Sequence, residues 1–68
     1  MTKLYHIDGL NCHQAHEREM IPGDELHYGW ALGPEEVRYQ HCWIMRAGVV
    51  IDLFGWTDHE DLGVRLRK

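Results

Sequence analysis

The chain has 68 residues, a hydrophobic share of 44%, a charged share of 26% and a formal net charge of −4 with histidines neutral. This length holds one small domain, residues 1–68, and the acidic balance argues against a nucleic-acid partner, which selects a basic surface. No apolar run approaches the ~20 residues that span a membrane, and residues 1–11 lack the apolar core of a secretory signal. We therefore expect a cytoplasmic protein with no membrane partner, whose two cysteines stay reduced.

The first part of the chain predicts a short strand and then a short helix. Residues 3–7 favour an extended segment, and Asn11 is a typical N-cap. A helix is expected from Cys12 to about Met20. The pair Pro22-Gly23 ends it, because neither residue continues a helix well at that point.

The second part predicts antiparallel strands. Residues 25–32 alternate and are rich in aromatic side chains, which is typical of a strand. Residues 37–45 and the β-branched run 49–54 favour two further strands, residues 55–61 a polar loop, and residues 62–66 a final strand. The fold class is therefore predicted as α+β, with one short N-terminal helix packed on a three- to four-stranded antiparallel β-meander.

A two-residue turn at Ala47-Gly48 decides which side chains of the second hairpin share a face. Glycine at the second turn position favours this short connection. His41 and Asp52 then lie on one face, about 7–8 Å apart by backbone and within side-chain reach. A three-residue loop would place Asp52 beside Cys42 instead, because a shift of one residue exchanges the faces. We favour the first register, with Cys42 packed in the core on the opposite side.

A histidine beside an aspartate predicts an oriented imidazole. The carboxylate accepts a hydrogen bond from one ring nitrogen and leaves the other as a base. The chain contains no serine, and Cys12 stands at the predicted helix start, where the helix dipole stabilises a thiolate. The alternatives are structural: Cys12 as a small buried residue, His41 as a core histidine bonded to backbone, and Asp52 as a solvent-facing acid.

Four short motifs carry a resemblance to a known family. They are a Cys followed by an amide residue and Ala, an aromatic-Gly strand, a His-x-Trp strand and a Gly-x-Val-x-Asp strand, here in residues 12–15, 27–31, 41–44 and 48–52. In this order they resemble small phage and bacterial proteins of the transglutaminase-like branch of the papain-type thiol fold. The resemblance covers residues 10–66, and its last two motifs are the most specific.

The resemblance implies acyl transfer or hydrolysis at an amide or ester, on a peptide, a protein or a small amide, without a cofactor. Cys12 would be the nucleophile, His41 would move the proton, and Asp52 would orient His41. The chain departs from the family pattern after the aspartate, where Leu53-Phe54 replaces Pro-Thr.

Three further residues are candidates for the oxyanion and substrate-binding site. Gln14 follows the cysteine, where the family more often has Asn, and its amide or a backbone N–H near the helix start would hold an oxyanion. Trp43 belongs to the His-x-Trp motif. Trp56, in the predicted loop after Asp52, would line a pocket or a partner surface.

Two other functions remain open on the sequence. One is a small binding or inhibitor protein that occupies a protein partner without catalysis, with homodimerisation as a way for so short a chain to bury more surface. The other is a zinc-stabilised module, because Cys12, His13 and His16 lie within one helical turn and His6 is close by in the chain. Six histidines make chance clustering expected, so no metal site is predicted.

Overall fold

The computed structural model describes residues 12–68 of the chain. They form one helix and four strands: α1 (Cys12–Glu19), β1 (Glu25–Leu32), β2 (Arg38–Arg46), β3 (Val49–Ile51) and β4 (Thr57–Arg67). A 3₁₀ turn at Pro34–Glu36 lies between β1 and β2. The predicted α+β fold, a short helix on an antiparallel sheet, is confirmed. The strand predicted at residues 3–7 and the cap at Asn11 lie outside the described residues.

The strands form one antiparallel sheet in the order β3-β2-β1-β4. The first three strands are the predicted meander, and β4 returns to pair with the free side of β1. The connection from β3 to β4, residues 52–56, therefore has to cross the sheet. It does so over the face that holds His41, where Phe54 and Trp56 both contact the imidazole ring.

The second hairpin has the predicted register. Arg46 pairs with Val49 and Met45 with Val50, so the turn consists of Ala47 and Gly48 alone. Both have positive φ, 52° and 78°, which is the conformation of a type I′ turn. The strand that follows is shorter than predicted: β3 ends at Ile51.

The predicted polar loop at residues 55–61 is wrong from Thr57 onward, where β4 begins. Two causes hid this strand. Its pairing with β1 is interrupted by three register shifts, which break the period-two alternation that marks a strand. It is also an edge strand, and edge strands are commonly protected by charged side chains, which here look like a loop.

One face of the sheet carries the apolar core beneath α1. Leu26 and Ile44 pair across β1 and β2 and are 0% and 1% exposed. Met20, from the end of the helix, and Cys42 complete this cluster. The helix packs mainly on β2, and its first residue, Cys12, contacts the same cluster.

Gly29 sets the distance between β1 and β4. A Cβ atom at this position would lie 1.8 Å from the carbonyl oxygen of Glu60 in β4. Gly29 also pairs with His41 on the β2 side. Only the missing side chain lets the two neighbouring strands approach so closely at this point of the sheet.

Among the described residues, no helix has the length and apolar character that crossing a bilayer requires.

Candidate active site

A cavity of about 290 Å³ opens where the helix start meets the middle of the sheet. Its wall includes Cys12 from α1, Tyr28 from β1, Gln40, His41 and Cys42 from β2, and Arg65 from β4. The predicted nucleophile and the predicted base thus share one solvent-accessible space.

The short β3 strand makes room for this arrangement. Its pairing with β2 reaches only Ile44, opposite Ile51, so within residues 12–68 the earlier part of β2 has no strand on that side. The helix and the chain after β3 meet there: the backbone N–H of Leu53 donates to Nε2 of His16 at 2.9 Å. Cys12 can therefore influence both His41 and Cys42, although consecutive strand residues point to opposite faces.

His41 and Asp52 form a buried pair. The Nε2 atom of His41 lies 3.2 Å and 3.1 Å from the two carboxylate oxygens, and the side chains are 0% and 4% exposed. The carboxylate also accepts hydrogen bonds from the backbone N–H of Phe54 at 2.8 Å and from Nε2 of His59 at 2.7 Å. Both carboxylate oxygens of Asp52 thus accept hydrogen bonds.

These donors keep Asp52 ionised. Burial by itself works to raise the pKa of the Asp52 carboxyl, but the hydrogen bonds from His41 and His59 and the charge of His41 outweigh it, so the pKa is lowered from its ordinary value. A buried carboxylate of this kind stabilises a positive charge on the neighbouring imidazole.

The His41 ring is held in a fixed orientation. Trp56 stacks on it with ring centroids 4.0 Å apart, and Phe54 meets it edge-on at 5.2 Å. Because Nε2 binds Asp52, the other nitrogen, Nδ1, is the one left for proton transfer. Nδ1 is buried and makes no hydrogen bond to any described residue.

The charged form of His41 is favoured. Burial disfavours an imidazolium, but the hydrogen bond and charge of Asp52, together with Cys12, more than compensate, and the pKa of His41 is raised above its ordinary value. Cys12 acts on this ring although Nδ1 makes no hydrogen bond within ordinary limits. In known enzymes, hydrogen bonds between catalytic groups are often long in the free form and tighten around substrate.

Cys12 is poised as a thiolate. The pKa of the Cys12 thiol is lowered to about 4, chiefly because Cys42 donates its S–H to this sulfur, against the opposing effect of burial, with His41 as a further cause. The two Sγ atoms are 3.2 Å apart. A thiolate beside an imidazolium is the reactive state of a nucleophilic cysteine.

His16 has a structural role beside this pair. Its Nε2 accepts from Leu53, so its proton is on Nδ1, which donates to the carbonyl of Cys12 at 2.7 Å. The ring is fully buried, and burial lowers the pKa of His16 below its ordinary value. This neutral imidazole ties the start of the helix to the chain that carries Asp52.

The predicted oxyanion and pocket residues lie in different places. Gln14 is on the exposed side of α1 and does not line the cavity of Cys12. Trp43 is 0% exposed and packs against His41 and His59. Trp56 lies on His41 rather than on the cavity wall. Their roles toward a substrate remain predictions, and Trp43 and Trp56 have an observed role in holding imidazoles.

The sequence interpretation missed three residues that contact the proposed triad, and the cavity-wall residues Gln40 and Arg65. Cys42 is a core residue, 4% exposed, as expected, yet it also touches the candidate nucleophile. His16 was considered only as a zinc ligand, and His59 was assigned to a loop. One signal in the sequence could have revealed them. An aspartate in an apolar strand is expected to be buried and to require several hydrogen-bond donors, and a single histidine supplies only some of them.

The zinc alternative finds little support in residues 12–68. Within this range no group of three or more His, Cys, Asp or Glu side chains has an arrangement that could hold a metal ion. Both ring nitrogens of His16 are already engaged. His6, the remaining candidate, lies outside the described residues.

Comparisons with protein-family models, with curated proteins and with solved structures find no match for this chain. The resemblance to transglutaminase-like proteins therefore rests on its own four motifs.

Proposed function

We propose that the protein is a minimal transglutaminase-like cysteine protein that transfers or hydrolyses acyl groups through Cys12, His41 and Asp52. One observation carries this proposal: Cys12 and His41 share a cavity, and the nitrogen of His41 that does not bind Asp52 is buried and unbonded among the described residues. A core histidine kept only for packing would be expected to use both nitrogens in hydrogen bonds.

The proposed reaction has two steps. The Cys12 thiolate attacks the carbonyl carbon of an amide or ester and forms a C–S bond. The C–N or C–O bond then breaks, and the imidazolium of His41 gives its proton to the leaving group. In the second step neutral His41 takes a proton from water or an amine, which attacks the thioester and releases the thiolate.

The cavity supplies polar groups for a substrate. Gln40 carries an amide that can donate to a developing oxyanion, and we propose it beside Gln14 for this role. Arg65 gives the same wall a positive charge, which favours acyl groups that carry a carboxylate or a carbonyl near the scissile bond. A reducing compartment such as the cytoplasm would keep Cys12 in the reduced state that the reaction requires.

An activated acetyl ester, p-nitrophenyl acetate, tests the proposal. We expect a burst of p-nitrophenolate that matches the amount of protein, and an acetyl group on Cys12 in the intact mass and in the peptide map. Cys12→Ala should abolish both. Gln14→Ala and Gln40→Ala separate the two oxyanion candidates: because Gln40 lines the cavity and Gln14 does not, the loss of Gln40 should slow acetylation more than the loss of Gln14.

Two outcomes would contradict the proposal. One is acetylation spread over lysines with no preference for Cys12. The other is a Cys12 adduct whose formation is as fast in His41→Ala as in the unchanged chain, because a thiol that needs no base has no triad.

A second candidate function, binding of a protein partner, is favoured by the edge of the sheet. Val49 and Val50 on the short edge strand β3 are 60% and 40% exposed, and Leu53 after it is 42% exposed. Among the described residues no strand pairs with the outer side of β3, and apolar side chains beside such an edge are suited to a second chain, either a partner or another copy. If the protein acts only by binding a partner, the ester experiment should show no burst, and Cys12→Ala should behave like the unsubstituted protein.

A further inference from the structure

The two cysteines of the chain touch each other. Cys42 donates its S–H to Sγ of Cys12 across 3.2 Å, and neither cysteine is in a disulfide bond. A disulfide bond joins two sulfurs at about 2.05 Å, so the pair needs to close by about 1.2 Å from its separation of 3.2 Å. Cys12 is half-buried on the cavity wall, and Cys42 lies behind it at 4% exposure.

We propose that Cys12 and Cys42 form a redox-active dithiol that reduces low-molecular-weight disulfides, such as glutathione disulfide, and is itself converted to an intramolecular disulfide. This activity rests on the contact between the two sulfurs and on their unequal access to solvent. It shares the Cys12 thiol with the acyl-transfer proposal but requires no acyl chemistry.

The exchange proceeds through a mixed disulfide. The Cys12 thiolate attacks one sulfur of glutathione disulfide, forms a new S–S bond and releases one glutathione thiolate. The Cys42 thiol then loses its proton and attacks the Cys12 sulfur, which releases the second glutathione thiolate. The proton from Cys42 is taken up by one released thiolate, the other thiolate takes its proton from water, and two electrons pass from the cysteine pair to the glutathione disulfide.

The geometry gives the two thiols different roles. Both cysteines line the cavity, but Cys12 is half-buried whereas Cys42 is 4% exposed, and the charged form of Cys12 is stabilised, so Cys12 is the attacking thiol. In the resting state, the pKa of Cys42 is raised, first by its hydrogen bond to Cys12 and then by burial. The first cause disappears once Cys12 is bonded to glutathione, because the acceptor thiolate no longer exists.

Arg65 favours the second step. It lines the cavity with both cysteines, and its positive charge favours a thiolate at Cys42. The resolving thiol is therefore held inactive while Cys12 is a free thiolate and is released when Cys12 is modified. Once the disulfide has closed, Cys12 is no longer a nucleophile, so oxidation would also stop the proposed acyl transfer.

Intact mass measurement of the full chain tests the proposal. The reduced protein is incubated with glutathione disulfide, quenched with acid, and alkylated. We expect a monomer that has lost two hydrogens, carries no glutathione and takes up no alkylating reagent, and that dithiothreitol returns to the dithiol. Cys42→Ala should instead accumulate one glutathione on Cys12, and Cys12→Ala should react at least tenfold more slowly.

The result with the unsubstituted protein tests the proposal even if one of the variants folds poorly. A stable glutathione adduct on Cys12, a disulfide-linked dimer, or two thiols that remain alkylatable would each overturn the proposal. Failure of the ester experiment with formation of the intramolecular disulfide would leave the redox activity standing and remove the acyl transfer. The converse result would remove the redox activity alone.

Discussion

The Asp52 carboxylate is the residue that organises the site. It accepts hydrogen bonds from His41, His59 and the N–H of Phe54, and its side chain is 4% exposed. It cannot be replaced by its amide without rearrangement, because an amide has one oxygen and one nitrogen where the carboxylate has two acceptors. With Asn, one imidazole N–H would face another donor.

We predict that Asp52→Asn lowers the rate of Cys12 acylation by about two to four orders of magnitude, since the His41 ring takes the wrong tautomer and loses its stabilised charge. The pKa of His41, raised in the unchanged chain, should fall. Histidine NMR titration measures this shift, and the rate of iodoacetamide alkylation against pH should show Cys12 losing its low pKa in parallel.

His59→Gln is the control for this experiment, because it removes a partner of Asp52 and leaves His41 in place. It should retain most of the acylation rate and keep the elevated pKa of His41. An Asp52→Asn protein with an unchanged alkylation profile would show that the pair does not support the thiolate.

At the level of single residues, the sequence was informative wherever spacing alone fixed the geometry. The turn at Ala47-Gly48 fixes the register, and the register brings Asp52 to His41, which the structure shows as a bonded pair. Cys42 escaped prediction as a site residue because strand alternation places it opposite His41. Only the position of the helix, which no local pattern encodes, brings Cys12 against both.

At the level of elements, the hairpin turn is strained where the sequence departs from the preferred turn residues. Ala47 has φ 52° and Gly48 φ 78°, and the left-handed region costs a residue with a Cβ atom roughly 1–2 kcal/mol. Asparagine tolerates this region better, and Asn-Gly is the preferred pair for a type I′ turn. The turn is also exposed, so a change there alters few other contacts.

We therefore predict that Ala47→Asn raises the free energy of unfolding by about 0.5–1 kcal/mol, measured by urea denaturation. Ala47→Val is the matched opposite, because a β-branched side chain is least tolerant of positive φ, and it should lower the stability. Equal stabilities for the three chains would mean that the turn is not held in this conformation in solution.

The strands and the helix differ in how well the sequence predicts them. Helix α1 and strands β1 and β2 have clear punctuation and alternation, and they lie close to their predicted positions. Strand β4 depends on long-range pairing with β1, 25 to 42 positions earlier, and its register shifts remove the local signal. His59 could therefore not be assigned to the site before the strand was known.

At the scale of the whole molecule, the end of the chain is tied to the turn before β1. Gly23 donates to the carbonyl of Lys68 at 2.9 Å, and the N–H of Lys68 donates to the carbonyl of Asp24 at 3.0 Å. The Asp24 side chain is bound in turn by two guanidinium nitrogens of Arg46 at 2.9 Å and 2.8 Å, which hold the pKa of that carboxyl at about 2. Asp24 and its neighbours thus connect the turn after the helix, strand β2 and the C-terminal residue.

Two buried groups, His16 and Asp24, should make the stability of the molecule fall with decreasing pH in separate ranges. His16 is buried and neutral, so the unfolded chain gains its proton first as the pH falls below the ordinary histidine value of 6.5. Stability contributed by His16 is therefore complete above 6.5 and is lost below it. The contribution of Asp24 is lost only below its ordinary value of 3.8.

We predict that His16→Gln, which keeps an acceptor for Leu53 but no titrating proton, shows a shallower loss of stability between pH 6.5 and 5. The slopes of unfolding free energy against pH for the variant and the unsubstituted protein should differ by at most about 1.4 kcal/mol per pH unit, the value for one proton. His13→Gln, on the same helix but partly exposed, is the control. Parallel curves for His16→Gln and the unchanged chain would contradict a neutral buried His16.

The stack of Trp56 on His41, with centroids 4.0 Å apart, means that the molecule contains its own optical probe. A charged imidazole in contact with an indole face interacts with it far more strongly than a neutral one and quenches its emission. We therefore expect the fluorescence of Trp56 to report the protonation of His41. Events at Cys12 that change this charge can be timed in the unlabelled chain.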